Sequence, residues 1–83
     1  MVINLDEAIR LDPGLASAYG NRGLAYYDLG QHQRAIEDYD EAIRLDPQEA
    51  IAYNNRGVAY ERLGKTREAE LDYQKAKELG LDP

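Results

Sequence analysis

The octapeptide DEAIRLDP stands at residues 6–13 and again at residues 40–47, an offset of 34. At the same offset AYGNRGLAY (18–26) returns as AYNNRGVAY (52–60), and Leu29-Gly30 returns as Leu63-Gly64. Ala35, Asp38, Tyr39, Ala42 and Leu45 return as Ala69, Asp72, Tyr73, Ala76 and Leu79. A fixed period of this length means one structural unit copied along the chain. One such unit cannot bury its own apolar face, so the copies must stack on one another.

The unit reads as helical. Apolar and small positions recur at spacings of three and four, as in Tyr19, Gly23 and Tyr26 or Ala35, Tyr39 and Ala42, with no strand-like alternation. Gly30 and Gly64 follow apolar turns and act as helix stops, while Asp12-Pro13 and Asp46-Pro47 end the intervening helices because proline cannot continue them. The expected helices are 2–11, 16–29, 32–45, 50–63 and 66–79.

A 34-residue helix–turn–helix carrying Tyr19, Gly23, Tyr26, Ala35, Tyr39 and Pro47, then Tyr53, Gly57, Tyr60, Ala69 and Tyr73, resembles the tetratricopeptide repeat. Arg22 and Arg56 depart from it by standing where leucine is usual, as does Leu81 at the place of the closing proline. The resemblance implies an all-α solenoid of antiparallel helix pairs wound as a right-handed superhelix. Its parts would be the second helix of an incomplete repeat (1–15), a full repeat (16–49) and a terminal repeat (50–83). It also implies a non-enzymatic module whose concave face holds a partner protein or peptide.

Composition narrows the partner. Ten Lys and Arg against sixteen Asp and Glu leave a net charge of −6, which opposes binding to nucleic acid or to an anionic membrane surface. The chain has no cysteine, hence no disulfide, thiolate nucleophile or Cys-based metal site. A hydrophobic content of 43% suffices for a folded core, yet no apolar run reaches the roughly 18 residues of a membrane span. MVINLDEAIR lacks the basic and apolar regions of a signal peptide, so the default expectation is cytoplasmic.

Catalytic motifs fail on spacing. Gly64-Lys65-Thr66 resembles the end of a phosphate-binding loop, but the first glycine would fall on Ala59 and no strand precedes it. The lone serine, Ser17, and the lone histidine, His32, would sit about 22 Å apart along one helix. His32 therefore reads as a solvated turn residue, and Glu37, Asp38, Asp40 and Glu41 as a mostly solvated face. No catalytic residue, metal or cofactor is expected.

Arg22 and Arg56 lie near the helix-pairing face. Arg22 precedes Gly30 by eight residues and Asp38 follows it by eight; Arg56, Gly64 and Asp72 repeat the arrangement. An antiparallel hairpin sets each pair at one height, so structural ion pairs Arg22–Asp38 and Arg56–Asp72 are expected. The alternative is that the arginines reach a ligand carboxylate.

The opposite face of each first helix carries Ser17, Gly20, Leu24, Tyr27 and Asp28, then Ile51, Asn54, Val58, Glu61 and Arg62. By the resemblance these ten form the candidate groove, although Leu24 and Val58 could equally pack on the neighbouring repeat. A family subtype that clamps chaperone C-terminal carboxylates uses lysine and asparagine where this chain has Gly20 and Leu24, which disfavours that partner.

The ends differ. Ile36 and Ile43 are placed to cover a following helix, whereas their copies Glu70 and Lys77 are charged and mark an array end. The first helix lacks its hairpin partner and presents Val2, Leu5, Ala8 and Ile9 on one side. Self-association as a homodimer, with helix exchange about Asp12-Pro13-Gly14 or Asp46-Pro47 as a variant, is therefore the competing structural role, as is service within a longer array.

Overall fold

The computed structural model describes residues 4–81, in which five helices follow one another: α1 (Leu5–Leu11), α2 (Ala16–Asp28), α3 (His32–Leu45), α4 (Ala50–Arg62) and α5 (Thr66–Glu78). The expected first helix, 2–11, is shorter. Asn4 is extended and caps α1, its side-chain oxygen accepting from the Glu7 N–H at 3.1 Å. Val2 lies outside the described residues.

Two kinds of turn alternate. After α2, Gly30 adopts φ +79°, which a side chain would resist, and lets its N–H reach the Tyr27 carbonyl while Gln31 N–H reaches Tyr26. Gly64 and Gly80 close α4 and α5 in the same way. The helices therefore end one residue before the expected 29, 63 and 79, because Leu29, Leu63 and Leu79 are the caps that lead into these glycines. After α1 and α3 the chain instead turns at Asp12 and Asp46, whose side chains accept from the N–H groups of Gly14 and Gln48.

Packing follows the repeat. α2 pairs with α3 and α4 with α5, while α4 also seats on α3 and α1 on α2. Gly23 makes the α2–α3 approach possible, since a Cβ there would meet Tyr39 Cε1 at 2.8 Å; Gly57 stands identically against Tyr73. Ala35, Ile36, Tyr39 and Ala59 are buried together at the centre, with Tyr26, Tyr27 and Tyr60 around them. Burying the Tyr39 ring and Ile36 side chain contributes about 1.5–3 kcal/mol each. The result is an all-α stack of helix hairpins in which α3 lies between its two neighbours.

Candidate functional site

The seams between helices are held by arginine. Arg22 donates from Nε and Nη2 to the two carboxylate oxygens of Asp38 at 2.8 and 2.7 Å, and from Nη1 to Asp6 at 2.8 Å. Arg56 repeats this with Asp72 at 2.8 and 2.7 Å and with Asp40 at 2.9 Å. Each guanidinium sits 5.7–5.8 Å from two tyrosine rings, Tyr19 and Tyr26 or Tyr53 and Tyr60. The hydrogen bonds to Asp38 and Asp72 hold both arginines charged well above their ordinary range, against the opposing effect of burial. Neither arginine is free for a ligand carboxylate.

Of the acidic run on α3, Asp38 is buried against Arg22, whereas Glu37 and Asp40 are exposed and Glu41 is half-buried, so the face is mostly solvated, with Asp40 engaged by Arg56. One expectation is corrected here: His32 is not a solvated turn residue, since it opens α3, its ring centroid lies 5.0 Å from that of Tyr27 and its Nδ1 is buried with no hydrogen-bond partner among the described residues. Ser17 and His32 begin different helices, α2 and α3, and share no contact that would support nucleophilic catalysis. Among the described residues no group of histidine and acidic side chains could hold a metal ion, and no helix is long and apolar enough to cross a membrane.

A groove of about 480 Å³ opens between α2 and α4, with α3 as its floor. Ser17, Gly20 and Leu24 line one wall and Ile51 the other. Leu15, Leu24 and Ile51 are 44%, 46% and 56% exposed, a concentration of aliphatic surface that the chain leaves uncovered. Tyr39 and Ala42 form the floor, and Asp46 and Glu49 stand on the loop at one end. Asn21, Leu15, Asp46, Glu49 and Asn55 were not among the residues expected from the sequence. The identical copies Asn21 and Asn55 were the available signal, because mid-helix asparagine is a poor helix former.

The other expected groove residues are elsewhere. Asn54 lines a separate cavity of about 550 Å³ with Glu70, Tyr73, Gln74, Lys77 and Leu81. Tyr27 and Arg62 bond to each other across α2 and α4, Arg62 Nε donating to the Tyr27 hydroxyl at 2.9 Å. Glu61 accepts from the Tyr73 hydroxyl at 2.6 Å. Asp28 and Val58 line neither cavity. The expected face is thus divided between a groove, an interhelix bond and a second cavity.

This geometry has relatives. Models of the tetratricopeptide repeat match residues 4–37 and 50–80, and a TPR repeat model matches residues 23–64. A crystal structure of MamA is 40% identical with a TM-score of 0.87, over 90% of this chain and 44% of that one. The first TPR of Spaghetti (RPAP3), bound to HSP90 peptide SRMEEVD, is 32% identical with a TM-score of 0.90, over 92% of this chain and 60% of that one. The second TPR of the same protein, bound to the same peptide, is 32% identical with a TM-score of 0.88, over 90% and 69%. The chain thus spans about half the length of the MamA chain. No curated protein sequence matches it. Period, turn glycines, helix pairing and these matches agree, and the chain belongs to the tetratricopeptide repeat family, with the fold of a protein-interaction module.

Proposed function

We propose that this chain is a non-enzymatic module that receives a segment of a partner protein in the groove between α2 and α4. The observation that carries the reading is the exposure of Leu15, Leu24 and Ile51 along one concavity. Aliphatic side chains left open in a groove gain from being covered, at about 25 cal/mol per Å². The related RPAP3 domains hold a peptide, which supports the same class of ligand here. Immobilised chain should retain a partner from solution, and Leu24→Glu should abolish retention with helicity unchanged; retention that survives this substitution would overturn the reading.

A second reading is self-association. α1 has seven residues and none is fully buried: Leu5, Ala8 and Ile9 are only half-buried and Leu11 is exposed, which leaves apolar surface on this helix for a second copy to cover. Sedimentation over a range of concentrations separates the readings, because a homodimer shifts the mass without any partner.

A further inference from the structure

We infer that the groove selects an internal segment whose aliphatic side chains are flanked by lysine or arginine. This rests on the groove reading above. The charged groups of the lining are Asp46 and Glu49, both acids on the loop between α3 and α4. Neither takes part in an ion pair among the described residues. No arginine or lysine lines the groove, and Arg44, two residues before Asp46, is bonded to Glu41. The aliphatic walls therefore end in unneutralised negative charge, on a chain of net charge −6.

Charge decides between occupants. A second copy carries the same net charge of −6 and so adds the repulsion of two like-charged chains. An acidic tail such as SRMEEVD would place carboxylates beside Asp46 and Glu49, and Gly20 and Leu24 offer it no cationic donor. A basic flank instead gains two attractive contacts while its aliphatic residues cover Leu24 and Ile51. Exposed pairs of this kind alter Kd by about twofold to fivefold each, so together they discriminate by about tenfold.

The test uses two amide-capped, fluorescein-labelled heptapeptides with identical leucines, one flanked by lysines and one by glutamates, with SRMEEVD as a third probe. Anisotropy at 0.15 M salt should show the lysine peptide binding about tenfold more tightly than either acidic probe, with the gap narrowing as salt rises. Asp46→Asn with Glu49→Gln should collapse the gap to about twofold or less. The asparagine keeps an acceptor for the Gln48 N–H, and Glu49 makes no capping bond, so the turn is retained. Equal binding of all probes, weakened throughout by the uncharged Leu24→Gln, would overturn charge selection while leaving the groove reading intact. Binding of the lysine peptide that Leu24→Gln does not weaken would overturn the groove reading itself. No binding, or preference for an acidic probe, would overturn the inference.

Discussion

Arg56 grips Asp72 through two parallel hydrogen bonds while the aspartate side chain is only 6% exposed. Removing the arginine strands that carboxylate, whereas removing both partners does not. Arg56→Ala should therefore cost about 3–5 kcal/mol in urea unfolding followed by circular dichroism. Arg56→Leu combined with Asp72→Leu should lie much closer to the parent. Asp40→Ala should cost under about 1 kcal/mol, because its side chain is exposed.

Two glycines in α2 should respond oppositely to alanine. Nothing lies within 4 Å of a Cβ at Gly20, so Gly20→Ala should raise stability by about 0.5–1 kcal/mol through helix propensity. At Gly23 the new methyl meets the buried Tyr39 ring at 2.8 Å and the Ala35 backbone carbonyl at 3.2 Å, and Gly23→Ala should cost about 1–3 kcal/mol. Thermal unfolding of the two variants checks the sign.

High pH should unfold the protein through its tyrosines. Burial pushes the Tyr39 and Tyr73 hydroxyls from 10.0 up to about 12, with Tyr73 further held by its bond to Glu61. Both favour the neutral form in the folded chain. Their contribution is complete below pH 10 and is lost as pH rises towards 12. Ellipticity at high pH, read beside tyrosinate absorbance, should show the two changes together, and Tyr39→Phe should move the loss of helicity to higher pH.

The outer face of α5 should resist further stacking. Glu70 and Lys77 are exposed, whereas their copies are Ile36, buried with Ala59 of α4, and the half-buried Ile43, and Gln74 stands at the position from which Asp40 binds Arg56. Glu70→Ile with Lys77→Ile should lower solubility and raise the sedimenting mass with concentration. An unchanged profile would show that these charges do not keep the face unpaired.

Helix order and hairpin pairing were legible because the copied pattern fixes both turns and the residues between them. Arg22 and Asp38 could be related by counting from Gly30, since a hairpin pairs equal distances from its turn. Asp6 and Asp40 stand eight residues before Gly14 and Gln48, and Arg22 and Arg56 eight after them, so the same count about the second kind of turn relates these pairs as well. The groove was only partly legible. A helical wheel gives the direction of Asn54 and Leu24, but which neighbour each one meets depends on how α4 seats on α3. Leu15 and Glu49 belong to loops, to which no wheel applies.

Arg22 and Arg56 both fasten to α3, one at Asp38 and the other at Asp40, two residues along the same helix. The walls α2 and α4 meet at the Tyr27–Arg62 bond and otherwise touch each other little, so their separation is set largely from behind, by a helix that contributes only the floor. The concavity is consequently preorganised, and a ligand entering it need not spend binding energy on bringing the walls together. On the proposed reading, affinity would then depend on residues that no ligand meets, such as Asp40 and Arg56, whose bond fixes the wall α4 against the floor α3.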